Sequence, residues 1–421
     1  MKIVHINKSD AGGGASVAAL RIHRSLLRAG VDSHILVQEQ RRTEQNEHVA
    51  GSGLIYRTKN FVRFVWERLR FLPYEKERAL RYYFSIANVG QSIVNHPVIQ
   101  EADIIHLHWI NQGYLSLDTL QELFKLGKPI VWTLHDMWPF TGGCHYAGSC
   151  LEFNEHCGFC PLLNSPSAND ISVDVFQKKK EIYKNVNLNI VTCSRWLGTL
   201  ASSSSLFRNT PITPIPNPID TNFYTILDRQ ECRKELGLPL DKKLILFGAA
   251  NIYDIRKGYR YLSESLSILK ENFPSMSNNL ELVVFGKIPY DATREFSFKT
   301  HAMEFIKNPT TLLKIYNACD TFILPSLQDN LPNTVVECLS CGTPVVGFRI
   351  GGVPEMIQHG KTGYLAEIRN SLSLANGIYS MLFYGTEEHR QQVRESAIEL
   401  FAEQKVAKQY IEVYEAALKR Q

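Results

Sequence analysis

The sequence predicts an α/β protein of two doubly wound parallel-sheet domains. Three observations carry that reading. Short apolar runs alternate with segments of helical apolar spacing in both halves of the chain. Between the halves, residues 210–220 (TPITPIPNPID) place four prolines in eleven positions, which neither a helix nor a central strand continues. Residues 321–355 read as buried strand, polar loop, short helix and second buried strand, a βαβ unit whose strands are parallel.

Length and composition narrow the function. A chain of 421 residues holds two or three ordinary domains, and 44% hydrophobic with 21% charged residues is a globular balance. A net charge of +4 is too small to imply nucleic-acid binding. No apolar run reaches the roughly 18 residues of a membrane span. MKIVHINKSD has no basic head before an apolar core, so it is not read as a secretory signal, and a cytoplasmic protein is expected. Nine cysteines at this length suggest metal binding or packing in a reducing compartment, not a disulfide scaffold.

Taken in order, residues 2–6 (KIVHI) form a strand that runs into Asp10-Ala-Gly-Gly-Gly and then the helix SVAALRIHRSLLRAG. Gly13 and Gly14 let a ligand approach the backbone, although a tight turn with no ligand has the same pattern. The dinucleotide fingerprint does not fit, because Val17 fills its last glycine position. Residues 32–37 are the second strand. Residues 56–84 read as helical, mixing Phe61, Phe64, Trp66 and Phe71 with Arg57, Lys59, Arg63, Arg68 and Arg70. That is the pattern of an interfacial helix on an anionic membrane, or of an ordinary helix with solvated arginines. Strands at 103–107 and 129–134 end in His106-Leu-His108-Trp109 and in His135-Asp136, where ligands sit in such sheets.

Within 142–161 (GGCHYAGSCLEFNEHCGFCP), Cys144, Cys150, Cys157 and Cys160 are spaced C-x5-C-x6-C-x2-C. Four thiolates suit a tetrahedral structural zinc, with His145 or His156 able to replace one. Free thiols in a packed loop, or a redox pair, fit the same spacing.

Past the prolines the alternation restarts. A strand at 243–247 leads to Arg256-Lys257-Gly258 just before the helix YRYLSESLSILK, a strand-to-helix junction where cations meet phosphate. A strand at 281–285 ends in Gly286, and a helix over 311–319 feeds the βαβ unit. There, Asp329 and Glu337 stand with seven residues between them, and Gly342 and Pro344 stop the helix. The loops 326–333 and 351–355, the latter with Gly352, each lead into a predicted helix start suited to an anion. The domains are therefore drawn at 1–214 and 215–402, with a last helix over 403–421 packing back across the hinge.

Two α/β halves, the proline hinge and the Asp329-to-Glu337 spacing together resemble the GT-B glycosyltransferases of family 4, a retaining, nucleotide-sugar-dependent group. The resemblance runs over nearly the whole chain. TLHDMWPFTGGCHY with its cysteine loop, and SLQDNLPNTVVECLSCGTPVVGF, resemble bacterial exopolysaccharide enzymes of the colanic-acid type. It implies two Rossmann-like domains facing across a cleft, the first for the acceptor and the second for the donor. The family hallmark Glu-x7-Glu falls on Asp329 and Glu337, so its first acid is an aspartate here. By resemblance Glu337 holds the nucleotide ribose, while Asp329 and the N–H groups of Asn330 and Leu331 meet the donor sugar and phosphates. Lys257 matches the family lysine, and Arg256 stands in for an arginine expected near 250–252. Gly286 and Gly352 belong to the same donor side. His135 matches the histidine beside the reacting centre, and Gly13, Gly14 and His108 fall on the acceptor side.

The implied activity is metal-independent, retaining hexosyl transfer from a UDP- or GDP-sugar to a lipid-linked glycan. It would serve surface polysaccharide synthesis, in the cytoplasm or peripherally on the inner face of the membrane, with no nucleic-acid partner. A nucleotide-sugar-binding scaffold and a GT-B epimerase are the alternatives. Paired-carboxylate hydrolysis is the competing chemistry for Asp329 and Glu337.

Overall fold

A computed structural model describes the chain except residues 252–253, 288–295, 304–305, 307, 384 and 421, and except the side chains of 250, 251, 277 and 287. The chain divides into two compact units, Met1–Pro218 with Gln404–Gln421, and Ile219–Glu403.

The first unit holds β1 (Lys2–Ser9), β2 (Asp32–Glu39), β3 (Glu47–Val49), β4 (Ile104–Leu107), β5 (Ile130–Leu134), β6 (Leu188–Thr192) and β7 (Ile212–Pro214). They form one sheet in the order β3-β2-β1-β4-β5-β6-β7, with every pair parallel. Helices cover both faces, which is why the central strands are apolar on both sides. Ile3, Ile104, Val131 and Val191 pack one way, against Ile22 and Leu26 and against Val406, Tyr410 and Tyr414 of the helix Glu403–Lys419. Val4, Ile105, Leu107 and Trp132 pack the other way.

The second unit holds β8 (Lys243–Asn251), β9 (Leu280–Lys287), β10 (Thr300–Ala302), β11 (Thr321–Leu324), β12 (Val345–Phe348) and β13 (Gly363–Ala366). Their order is β10-β9-β8-β11-β12-β13, again all parallel. Both sheets reverse their winding once, between β1 and β4 and between β8 and β11. The loops leaving the carboxyl ends of those strands are where ligands bind in doubly wound sheets.

Three expectations change. The helix read over 56–84 spans Gly53–Phe71 and then gives way to 3-10 turns, because Pro73 has no N–H to extend it. The loop 351–355 does not open a helix; Val353–Glu355 is a single 3-10 turn with too few aligned peptides for a dipole site. The proline segment contains β7, but as an edge strand, where a missing N–H costs no ladder bond.

Candidate active site

At the switch point of the second unit, two loops meet. The turn after β8 is a 3-10 element, Ile255–Lys257, begun by Asp254, whose Oδ1 accepts the Arg256 N–H at 3.0 Å. It closes on Gly258 at φ +67, where an added Cβ would lie 1.8 Å from the Pro325 carbonyl oxygen. That contact sets the turn directly on the loop after β11, and Leu327 N–H donates to the Arg256 carbonyl at 2.7 Å. The seam places Lys257 Nζ 2.7 Å from Asp329 Oδ2. Arg256 lies beside it but is held by Asp254, with Nη2 to Oδ2 at 2.6 Å. Of the positions 250–252, Ile252 lies outside the described residues, as does the side chain of Ala250.

Asn330 and Leu331 are buried in the same loop. Behind them the helix Asn333–Ser340 starts after Pro332 with no side-chain cap, and the Val335 N–H turns back to the Pro332 carbonyl at 3.0 Å. Glu337, in its second turn, is buried and accepts the Tyr316 O–H on Oε2 at 2.5 Å. The two acids meet different partners, Lys257 at Asp329 and Tyr316 at Glu337. Ser326 Oγ, also buried, has no partner among the described residues. Gly351 abuts the Asp329 carbonyl, Gly352 opens the 3-10 turn after it, and Gly286 abuts the Ala249 carbonyl at the end of β9.

The first unit's switch point joins the turn after β1 to the ends of β4 and β5. Gly13 precedes the helix Gly14–Arg28 in an extended conformation with no side-chain cap, and an added Cβ there would meet nothing within 4 Å. Asn7 Oδ1 accepts the Trp109 N–H at 2.9 Å and so ties the β1 turn to the end of β4.

Adjacent strands carry a histidine ladder that sequence spacing could not show. His5 Nδ1 is 2.9 Å from His108 Nε2, His108 Nδ1 is 3.1 Å from His135 Nε2, and His135 Nδ1 is 3.6 Å from Cys193 Sγ. Burial, then neighbouring imidazoles, holds His5 and His108 well below the ordinary range, and burial brings His135 to about 4, so all three are neutral near pH 7. His5 Nε2 is buried with no partner among the described residues. A bare lone pair there costs less than a stranded N–H, so the His5 proton sits on Nδ1. The rest follows: His5 donates to His108, His108 donates to His135, and His135 keeps its proton on Nδ1, facing a sulphur that accepts weakly.

Asp136, next to His135, accepts His145 Nδ1–H at 2.8 Å, Trp109 Nε1–H at 3.0 Å and the Trp138 N–H at 2.9 Å. Burial opposes its charge, but these donors hold the carboxyl below its ordinary value. His145 Nε2 is bonded to Ser85 Oγ at 3.1 Å, so both of its ring nitrogens are taken and it does not replace a cysteine ligand. Cys144, Cys150, Cys157 and Cys160 all border one small cavity. Burial raises the thiols of Cys144 to about 11 and Cys160 to about 12.

A groove of about 560 Å³ opens beside the carboxyl ends of β1 and β2, lined by Lys8, Gln38, Arg41, Tyr56, Asn60 and Phe64 among others. Along the helix Gly53–Phe71, Leu54, Ile55, Phe61, Val62, Trp66 and Leu69 recur at helical spacing and are exposed, whereas Glu67 and Phe71 on the opposite side are buried. No described helix is long and apolar enough to cross a membrane.

A family profile described as Glycosyltransferase Family 4 matches residues 12–223, and one described as Glycosyl transferases group 1 matches residues 228–400. WcaC of Escherichia coli K12, named for colanic acid biosynthesis, is 24% identical over 99% of this chain and 100% of its own. Anabaena Alr3699/HepE, solved with UDP, superposes with a TM-score of 0.64 at 16% identity, covering 99% of this chain and 100% of that one. Sucrose-phosphate synthase of Thermosynechococcus elongatus gives 0.66 at 16% identity, with both chains fully covered.

Proposed function

The chain belongs to glycosyltransferase family 4, and on that footing we propose that it moves a sugar from a nucleoside-diphosphate donor to a lipid-linked glycan with retention at the anomeric carbon. The observation that carries the donor half is the seam at the β8–β11 switch point, where Lys257 meets Asp329 beside the uncapped start of the helix Asn333–Ser340. In transfer, the bond between the anomeric carbon and the diphosphate oxygen breaks, and its electron pair stays with the diphosphate. A bond to the acceptor hydroxyl oxygen forms on the face the diphosphate leaves, and the hydroxyl proton passes to the departing diphosphate oxygen. Charge builds on the leaving group and on the sugar ring, so fixed positive ends near the diphosphate do most for the rate. Lys257 and the positive end of the dipole of the helix Asn333–Ser340 supply that charge from the protein itself, which supports metal-independent chemistry. Glu337, held by Tyr316, is read as the ribose acceptor, and Asp329, Asn330 and Leu331 as the sugar and phosphate contacts.

In the first unit, the groove with Tyr56, Phe64, Gln38 and Asn60 has the mixture of aromatic faces and amide groups that a glycan needs, and we assign the acceptor to it. His135, neutral and held by His108 and Cys193, is read by resemblance as the histidine beside the reacting centre. WcaC's name supports a place in surface polysaccharide synthesis.

A thermal-shift screen tests the donor half. A nucleoside diphosphate at 100 times its dissociation constant stabilises the native state by about 2.7 kcal/mol, a rise of several degrees in melting temperature. UDP and GDP, alone and as sugars, are the probes. A flat response to all of them at millimolar concentration removes the donor assignment.

The exposed apolar face of the helix Gly53–Phe71, flanked by Arg57, Lys59 and Arg70, supports peripheral contact with an anionic membrane, where a lipid-linked acceptor resides. The double variant Phe61→Ser, Trp66→Ser is expected to bind anionic vesicles at least about tenfold more weakly, since each buried side chain contributes about 1.5–3 kcal/mol. If wild type and variant co-sediment equally, the membrane is not its partner through this helix.

A further inference from the structure

We infer that the loop 142–161 is a structural zinc site in which Cys144, Cys150, Cys157 and Cys160 are the ligands and the buried ammonium of Lys179 balances the charge of the tetrathiolate. The four residues, drawn from 17 positions of sequence, all border one cavity of about 20 Å³, the space of a single water, whose other walls include Phe84, Ala147 and Phe153. An ion fits there and a larger ligand does not.

The backbone around the C-x2-C end is built for sulphur. Cys157, Gly158 and Phe159 take φ of +64, +105 and +46 in succession, a left-handed run that two non-glycine residues adopt only when something outside the local chain requires it. The run leaves Gly142 N–H donating to Cys157 Sγ at 3.1 Å. Amide donors aimed at sulphur favour the thiolate over the thiol, and thiolate is the form that binds metal.

Lys179 supplies the independent observation. It is fully buried, donates to the carbonyls of Trp138 and, at 2.9 Å, Thr141, and stands 3.6 Å over the Trp138 ring. No carboxylate pairs with it among the described residues. A buried ammonium without a counter-charge is strongly unfavourable. Burial lowers Lys179 to about 7, and negative charge on the nearby Cys144, Cys157 and Asp136 acts the other way and keeps its proton on. Zinc with four thiolates carries a net double negative charge, so a metal turns these neutral thiols into a counter-charge beside Lys179.

Among the described residues, the group of His, Cys, Asp and Glu whose ligand atoms already lie within 4.8 Å of one another is His5, His106 and His108. Apart from His5 Nε2, their nitrogens are spent on hydrogen bonds. The four cysteine sulphurs are more widely spaced around their cavity, so binding of the metal would have to draw them together. The site would then pin the loop that carries His145, and through it the Asp136 carboxylate beside His135.

Protein purified with reductant and without chelator should carry about one zinc per chain by multi-element mass spectrometry. Replacing the zinc with cobalt should give the visible bands of a tetrahedral thiolate centre. The double variant Cys157→Ser, Cys160→Ser should retain less than about a tenth of that zinc. Because the variant can misfold, the wild-type protein decides: after denaturation with chelator, all nine cysteines should titrate as free thiols. Less than about 0.3 zinc per chain, or a disulfide within the loop, overturns the site. None of these readouts depends on nucleotide binding or transfer, so the donor assignment and the zinc site stand or fall separately.

Discussion

Lys257→Ala is expected to lower kcat/KM for transfer by about 10²- to 10³-fold, the loss seen when one preorganised charge donor is taken from a developing anion. Measured with whichever donor the thermal-shift screen returns, most of the loss should fall on kcat, because the diphosphate carries more charge when leaving than when bound as an ester. The fold should tolerate the change. The lysine side chain is 29% exposed, and partly exposed ion pairs contribute less than about 1 kcal/mol. Lys257→Arg keeps the charge but spreads it over a planar fork, and should recover part of the rate. If the alanine variant turns over within a few-fold of wild type, Lys257 is only the structural partner of Asp329, and the diphosphate lies elsewhere.

Only part of that candidate site is local in the chain. Lys257-Gly258 and the Asp329-to-Glu337 spacing are visible in the chain, because a junction of strand, cation and glycine is a local pattern. The 2.7 Å pair between Lys257 and Asp329 joins residues 72 positions apart and is created by strand order, which no local pattern reveals. The same holds for Tyr316 on Glu337 and for the histidine ladder, which exists because β1, β4 and β5 are neighbours. The central strands were legible for a related reason: buried on both faces, they are apolar at most positions. Four strands escaped notice, and all four are sheet edges. β3, β7 and β10 are three residues long and half-exposed or exposed, and β13 begins on a glycine, so none presents an apolar run. The aspartate in place of the family's glutamate is one methylene shorter, and its reach to Lys257 shows that the shorter acid suffices to close the seam.

Gly258→Ala should cost both stability and transfer, and its comparison with Gly13→Ala separates packing from ligand approach. At Gly258 the backbone is left-handed, and a non-glycine residue there loses about 1–3 kcal/mol before any collision is counted. The new methyl would also stand 1.8 Å from the Pro325 oxygen and 2.8 Å from its carbon, both backbone atoms, so one loop must move. Movement opens the seam: the Leu327-to-Arg256 bond and the Lys257–Asp329 pair, each 2.7 Å, depend on the two loops touching. A melting temperature lowered by several degrees should therefore accompany loss of the stabilisation that a nucleoside diphosphate gives. Gly13 has the opposite character. Its φ is −165 and an added Cβ meets nothing, so alanine should leave stability within about 0.5 kcal/mol. Activity lost there without stability would mean that a substrate passes within van der Waals distance of that Cα. Wild-type transfer in Gly13→Ala would reduce the glycine turn to a chain reversal, and a Gly258→Ala protein with unchanged melting and nucleotide response would refute the seam itself.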